Sequence, residues 1–191
     1  GNTKITIEIL NDLFLSDQSW NIINLRYFNP VGANPSGFIG EYPKIKASNL
    51  FPIITKVILG DLEKLYIFGN DWPTPDGTCI RDYIHVMDLA EAHIAALKFI
   101  QINEPQILSI NIGTSKGHSV LDVLKIYSKV NCIDLPYEFA KRREGDAPFL
   151  VADNSLALRL LEWKPKKDLS DMCKDSFRFI KIFSKYRKNA Y

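Results

Sequence analysis

Short apolar runs alternate with helical patterns along most of this chain, and this alternation restricts the fold more than any other feature. Residues 21–28 and 107–113 are nearly continuous apolar runs, as expected of strands buried on both faces of a parallel sheet. Between them, residues 49–60 and 88–100 carry apolar side chains at helical spacing. Strands that alternate with helices in this way predict an α/β fold.

Weaker patterns fill in the rest of the chain. Residues 65–68 predict a short strand, and residues 135–140 predict an edge strand because Pro136 has no N–H group to donate to a neighbour. Residues 33–48 are rich in Gly, Pro and Asn and predict a loop. Further helices are predicted at 5–14 and 155–161. Capping residues predict helix starts at Asn49, at Asp88 with Glu91, at Ser119 with Asp122, and at Asp168 with Asp171.

The composition is that of a globular chain without a dominant charge. Its 191 residues are 46% hydrophobic, enough for a sizeable core, and the net charge is +2. No basic stripe interleaved with aromatic residues is present, so nucleic acid is not an expected partner. The 3 cysteines lie far apart, which indicates neither a metal site nor a disulfide framework and suits a reducing compartment. Without a long apolar run or signal-peptide pattern, no membrane association is expected and a cytoplasmic location is predicted.

Residues 76–88 combine a turn, a strand and a helix start. Asp76-Gly77 favours a tight turn, and residues 79–86 are rich in β-branched and aromatic side chains. Arg81 therefore lies on a rigid element near a chain reversal. A guanidinium in such a position can hold a phosphate through two parallel hydrogen bonds. The alternative is an ion pair between Arg81 and Asp82 or another surface carboxylate.

A second arginine cluster, residues 141–146, follows the predicted edge strand. Arg143 and Arg81 together would clamp the two phosphates of a nucleoside diphosphate, with Glu144 and Asp146 orienting the arginines or accepting from ribose hydroxyls. Ordinary surface ion pairing is the alternative. Residues 66–68 either line a face for a nucleobase or belong to the core.

Three other positions have a chemical or a structural interpretation. Asn29 follows a predicted strand, outside whose carboxyl end ligands of open α/β sheets bind, so it is either a substrate-binding residue or a turn former before Pro30. Lys4, with a tyrosine four residues upstream, would form the catalytic pair of a short-chain dehydrogenase, but that position lies before Gly1. His85, His93 and His118 lack metal-ligand spacing and are expected to be structural.

Several segments resemble the UDP-glucose 4-epimerase family of extended short-chain dehydrogenases/reductases. They are residues 25–33 (LRYFNPVGA), 68–71 (FGND), 76–78 (DGT), 80–86 (IRDYIHV) and 142–146 (RREGD). Residues 1–4 are similar to the end of the family's Tyr-Gly-x-x-Lys motif. Because the match runs in order along essentially the whole chain, the resemblance implies the C-terminal portion of such an enzyme.

The resemblance implies an NAD-dependent isomerase that interconverts UDP-glucose and UDP-galactose. Such enzymes oxidise the sugar C4 hydroxyl, let the 4-keto sugar rotate and return the hydride to the opposite face. The glycine-rich loop and the catalytic tyrosine are missing from this sequence, so the chain is expected to supply the UDP-sugar-binding half and to be inactive alone. A homodimer is expected for the intact protein. The alternatives are another nucleotide-sugar epimerase or dehydratase, and a non-catalytic nucleotide-sugar-binding module.

The resemblance also assigns residues and domains. Lys4 would bond the nicotinamide ribose and Phe28 would lie next to the nicotinamide. Substrate-binding roles are implied for Asn29, Asn49, Leu50, Tyr66, Ile67, Phe68, Arg81, Arg143, Glu144, Gly145, Asp146 and Phe149. Phe149 is expected beside the hexose, where its size would disfavour N-acetylated sugars. Residues 1–32 and 78–118 are expected to be remnants of a Rossmann-type NAD-binding domain, and residues 33–77 and 119–191 a smaller, mixed α/β substrate-binding domain.

Overall fold

A computed structural model describes residues 2–13, 20–43 and 48–188 of the protein. The helices of this part are α1 (Asn2–Leu13), α2 (Leu50–Ile58), α3 (Val86–Ile102), α4 (Val120–Asn131), α5 (Ser155–Leu161) and α6 (Leu169–Lys188). The strands are β1 (Ile22–Tyr27), β2 (Asn29–Val31), β3 (Leu65–Phe68), β4 (Ile80–His85), β5 (Ile107–Ile112), β6 (Gly117–Ser119), β7 (Tyr137–Ala140) and β8 (Phe149–Leu150). The α/β fold predicted from the alternating pattern is confirmed.

The first structural layer is the parallel pair β1 and β5. The two strands are in register from Ile22 opposite Ile107 to Tyr27 opposite Ile112. Helices α3 and α5 cover one face, where Ile110, Ile112 and Ala157 have no exposed surface. The continuous apolar runs of both strands thus pack against apolar helix faces.

The second layer is organised around β4. Strands β2 and β8 pair with β4 in parallel and β6 pairs with it antiparallel, while β3 and β7 form a separate parallel pair. Helices α2, α4 and α6 pack around these strands with Phe51, Tyr127 and Met172 in the shared core. The start of α2 and the ends of β1 and β3 therefore lie close to β4.

Two of the predicted helix starts have the expected local geometry. The Ser119 hydroxyl accepts from the Asp122 amide (3.0 Å), and Asp122 accepts in return from the Ser119 amide (3.4 Å). Asp168 and Asp171 exchange the same pair of bonds, with distances of 2.9 and 3.2 Å. Asn49 precedes α2 as predicted, but its side chain makes no capping bond.

The predicted capping box of Asp88 and Glu91 is wrong. Helix α3 begins two residues earlier, and its cap is His85, whose Nδ1 accepts from the Met87 amide at 3.0 Å. The Asp88 carboxylate is 2% exposed and accepts instead from the amides of Lys166 and Lys167. The Asp88 carboxylate, which the local pattern assigns to the helix start, thus bonds to a segment that is distant in sequence.

Strands β2, β6 and β8 have no counterpart among the predicted elements. They contain three, three and two residues, too few for an alternating pattern, and they depend on β4 for pairing. The division into 1–32 with 78–118 and 33–77 with 119–191 stays a prediction. No helix in the described part of the chain is long and apolar enough to cross a membrane.

Candidate functional site

A cleft of ≈ 340 Å³ lies where β2, β3, β4 and the start of α2 meet the segment that follows β7. Among its lining residues are ten of those singled out in the sequence, namely Phe28, Asn29, Asn49, Leu50, Tyr66, Ile67, Phe68, Arg81, Arg143 and Asp146. A larger groove of ≈ 660 Å³ lies between α3 and the segment after α5 and contains none of them. Convergent cations, amides and aromatic rings make the smaller cleft the candidate site.

Arg81 is held in place by two backbone carbonyl oxygens, one on β4 and one just before β8. Its Nη1 donates to the carbonyl oxygens of Ile80 (2.9 Å) and Ala147 (2.7 Å), and 14% of its side chain is exposed. Its Nη2 lies 3.5 Å from Asp146 Oδ1, a long separation for an ion pair. The guanidinium is therefore preoriented and retains donors for a ligand.

Asp82 is not the partner of Arg81. Its buried carboxylate accepts from the amides of Thr114, Ser115 and Ala152, on the opposite face of β4. Neighbouring residues of a strand point to opposite faces, so an ion pair between Arg81 and Asp82 is excluded by the strand itself.

Arg143 reaches the same cleft from the segment after β7. Its guanidinium carbon lies 3.8 Å from the ring centroid of Phe68, within the range of a cation–π contact. Its Nη1 donates to the Ser48 carbonyl oxygen at 3.3 Å. Arg81 and Arg143 therefore line the same cleft, and guanidinium groups are well suited to binding phosphates.

The start of α2 supplies further donors. The amides of Leu50 and Phe51 belong to the first turn and have no partner within the helix, while Pro52 has no N–H group. Asn49 has extended backbone angles (φ −90°, ψ 152°) and lines the cleft. Two amide donors and the positive end of the helix dipole thus face a region with two guanidinium groups.

Residues 66–68 form one wall of the cleft. They belong to β3, which pairs with β7 from Leu65 opposite Tyr137 to Phe68 opposite Ala140. Ile67 is 2% exposed and belongs to the core, whereas Tyr66 is 52% exposed. The core interpretation therefore applies to Ile67, and the aromatic residues on either side of it are available to a planar ligand.

Glu144 and Gly145 do not line the cleft. They form an exposed turn that the Asp146 amide closes on the Arg143 carbonyl oxygen at 3.4 Å. Gly145 has a φ of +81°, a conformation that favours glycine. This turn separates Arg143 from Asp146, both of which line the cleft, so Gly145 acts on the site through backbone geometry.

Phe149 is not among the residues that line the cleft. In the register of β4 and β8, Phe149 is opposite Ile80 and Leu150 is opposite Arg81. Phe149 therefore shares the face of Ile80, packs near Gly117 and is 59% exposed. The expectation that Phe149 lies beside the hexose and disfavours N-acetylated sugars stays a prediction.

Sequence reasoning missed Cys79 and Tyr83, which also line the cleft. Both are buried, and burial raises the pKa of each above its ordinary value. The period-two alternation of β4, started from Arg81, is the signal that identifies them. Glu41, Ser48 and Pro52 line it as well, but no sequence pattern distinguishes them.

Comparisons with known proteins identify the family to which the chain belongs. The sequence model of the NAD dependent epimerase/dehydratase family matches residues 1–113. The chain belongs to this family. A UDP-glucose 4-epimerase of Bacillus subtilis is 48% identical over 180 residues, which are 94% of this chain and 53% of that protein. One from Dictyostelium discoideum is 46% identical over 180 residues, covering 94% of this chain and 52% of that protein.

Solved structures of this epimerase family agree with the described fold. The UDP-glucose 4-epimerase of Stenotrophomonas maltophila, with bound NAD and formylated UDP-arabinopyranose, is 43% identical with a TM-score of 0.90 and covers 95% of this chain and 54% of that one. That of Bifidobacterium longum, with NAD+ and UDP, is 42% identical with a TM-score of 0.87, covering 93% and 52%. The chain thus spans about half the length of the epimerases it matches.

Lys4 is not among the residues that line the cleft, whereas Phe28 is. The Lys4 Nζ is 5.7 Å from the ring centroid of Tyr27, the residue before Phe28, so α1 presents a cation at the end of β1. Lys4 would hold the nicotinamide ribose and Phe28 would lie beside the nicotinamide. NAD supplies the hydride acceptor when bound.

Proposed function

We propose that this chain supplies the UDP-sugar-binding half of an NAD-dependent enzyme that interconverts UDP-glucose and UDP-galactose. The observation that carries the proposal is the convergence of Arg81 and Arg143 on one cleft beside the start of α2. Planar forked cations and helix amides are the groups that bind a pyrophosphate well. The similarity to UDP-glucose 4-epimerases supports the choice of sugar nucleotide.

Each part of the cleft has a proposed role in binding the nucleotide. Arg81 and Arg143 bind the diphosphate together with the first amides of α2. Tyr66 and Phe68 border the uracil. Asp146 accepts from the ribose hydroxyls, which explains why a carboxylate lies among phosphate-binding cations.

The sugar end of the cleft is formed by β2. Asn29 pairs with Tyr83 in the register of β2 and β4, and its side chain is proposed to bond the sugar and the neighbouring phosphate. The hexose would thus lie toward Phe28 and the nicotinamide. We also propose that the intact protein is a cytoplasmic homodimer.

Calorimetric titration of the 191-residue chain with UDP tests this function. Arg143→Ala is expected to weaken UDP binding by about 10- to 100-fold, because charge-assisted hydrogen bonds are lost. Uridine, which lacks the phosphates, should bind the variant and the unmodified chain alike. Arg159→Ala removes an exposed arginine of α5 and is the matched control. Equal loss in both variants, or no binding of UDP by the unmodified chain, would contradict the proposal.

Another nucleotide-sugar epimerase or dehydratase of the same family is the alternative. It would use the same diphosphate-binding groups and would differ in the sugar product. Incubating the intact protein with UDP-galactose and separating the products distinguishes the two. UDP-glucose is expected here, whereas a 4,6-dehydratase would release water and form a 4-keto-6-deoxy sugar, and an epimerase specific for uronic acid sugars would leave UDP-galactose unchanged.

A further inference from the structure

We infer that Arg142 is a positioning residue for Arg143, and that it acts through a cluster of Gly69, Asp71, Trp72 and Arg142 on the outer side of the cleft wall. The two arginines are adjacent in sequence but have different surroundings. Arg143 lines the cleft, whereas Arg142 does not. The inference rests on the proposed binding of UDP and adds a residue that touches no ligand.

Arg142 is fixed by three contacts with the loop after β3. Its Nε donates to Asp71 Oδ1 at 2.8 Å and its Nη2 donates to the Asp71 carbonyl oxygen at 2.6 Å. Its guanidinium carbon lies 4.1 Å from the ring centroid of Trp72. The two hydrogen bonds of the guanidinium to Asp71 and its contact with the Trp72 ring together define the direction of the Arg142 side chain. A single exposed ion pair would not fix that direction.

The loop that holds Arg142 is itself well defined. Trp72 donates through Nε1 to the Phe68 carbonyl oxygen (3.1 Å) and through its amide to the Gly77 carbonyl oxygen (3.0 Å). Gly69 has a φ of +87°, and a Cβ there would lie 2.4 Å from Trp72 Nε1 and 2.9 Å from Arg142 Cγ. The absence of a side chain at Gly69 lets the tryptophan and the arginine stack.

The consequence for Arg143 follows from backbone geometry. Residues 141–143 continue from β7 without turning, and consecutive side chains of an extended segment point to opposite sides. Fixing Arg142 on the outer side therefore directs Arg143 inward onto Phe68. Phe68 is also held by the pairing of β3 with β7 up to Ala140, so loss of Arg142 is expected to move the Arg143 side chain more than the Phe68 ring.

The test is a double-mutant cycle on UDP binding to the full 191-residue chain. Arg142→Ala is expected to weaken UDP binding by about 5- to 20-fold, because Arg143 loses its preferred direction, while uridine binding stays within about 2-fold. Arg142→Lys keeps the charge without the fork and should not restore affinity. In an Arg143→Ala background, Arg142→Ala should change UDP binding by less than about 2-fold.

Lys141→Ala is the matched control, since it removes a neighbouring exposed cation and should leave UDP affinity within about 2-fold. An equal loss from Lys141→Ala, or an undiminished effect of Arg142→Ala in the Arg143→Ala background, would overturn the inference and indicate long-range charge alone. Loss of uridine binding would indicate that the cleft wall collapses instead.

A second readout does not depend on UDP. The Nε–Hε signal of Arg143 in an NMR spectrum should be displaced by the ring current of Phe68, and Arg142→Ala should move it to the position of an exposed arginine. If the unmodified chain does not bind UDP, the proposed function fails. The Arg143 signal alone then tests whether Arg142 positions Arg143. An unchanged Arg143 signal in Arg142→Ala would overturn the positioning role.

Discussion

Asp82 holds together three chain segments that are far apart in sequence. It has no exposed surface, and its carboxylate accepts from the Thr114 hydroxyl (2.6 Å) and from the amides of Thr114 (2.8 Å), Ser115 (2.9 Å) and Ala152 (3.2 Å). Ser115 has a φ of +59°, a conformation that the carboxylate helps to maintain. The residue beside the proposed diphosphate-binding arginine is therefore structural.

Asp82→Ala is expected to destabilise the chain by about 3 kcal/mol or more, because buried amides lose their acceptor. The free energy of unfolding in urea measures this effect. Asp134→Ala, at an exposed position, should change stability by less than about 0.5 kcal/mol. A loss of less than about 1 kcal/mol in Asp82→Ala would show that other groups satisfy the three amides.

Individual residues differ in how far the sequence determines their role. Arg81 and Arg143 could be identified because forked cations in short, specific motifs are uncommon. Tyr83 could have been found from the alternation of its strand, whereas the partners of Asp82 could not, because they lie more than thirty residues away. Phe149 lies opposite Ile80 and not opposite Arg81, which the sequence does not indicate because a shift of one residue along a strand exchanges the faces of the sheet.

At the scale of elements, the start of α3 couples the two layers of the fold. His85 is fully buried, its Nδ1 caps α3, and its Nε2 lies 3.3 Å from Asp175 Oδ2 on α6. Asp175 also accepts from Arg178 Nη1 at 2.9 Å. One imidazole therefore links β4, α3 and α6, and this is possible only for the tautomer with its proton on Nε2.

The pKa of His85 is lowered by burial, although hydrogen bonding to Asp175 opposes this effect. The unfolded chain, with an ordinary pKa of about 6.5, therefore takes up a proton first as the pH falls. The contribution of His85 to stability is complete above about pH 6.5 and is lost as the pH falls toward the folded pKa.

We expect the free energy of unfolding to decline between pH 7.5 and pH 5, and His85→Asn to be less stable at pH 7.5 but to show a smaller decline. Unfolding in urea at a series of pH values measures both. The exposed His93 is the control position, and His93→Asn should keep the full decline. A decline of the same size in His85→Asn would assign the effect to other groups.

Helix starts show which elements can be predicted from sequence. The Ser119–Asp122 box is local, so four consecutive residues contain all of its partners. The cap of α3 is His85, whose ring contacts Asp175 on the distant helix α6. The Asp88 carboxylate accepts from the amides of Lys166 and Lys167. Elements whose boundaries depend on long-range partners, including the two-residue strand β8, are therefore beyond reasoning from local pattern.

At the scale of the whole molecule, the described part of the chain presents surfaces suited to further sheet structure. Within the described residues, β5 is the one strand that pairs with β1. On the neighbouring helix α1, Ile5 and Ile9 lie one turn apart on the same side and are both 58% exposed. Unpaired strand edges and exposed apolar side chains are normally covered in stable proteins, so the edge of β1 and the exposed Ile5 and Ile9 are expected to be covered in an active enzyme.

The 191-residue chain is accordingly predicted to bind UDP without retaining NAD or catalysing epimerisation. The predicted roles of Lys4 and Phe28 concern the nicotinamide end of the cofactor alone, and no glycine-rich phosphate loop follows a strand in this sequence. Incubation with UDP-galactose, with and without added NAD, followed by chromatographic separation of the sugar nucleotides measures turnover. The Bacillus subtilis epimerase, of which the chain matches 53%, is the positive control. Formation of UDP-glucose by the chain above the buffer blank would show that the UDP-binding half carries the catalytic groups itself.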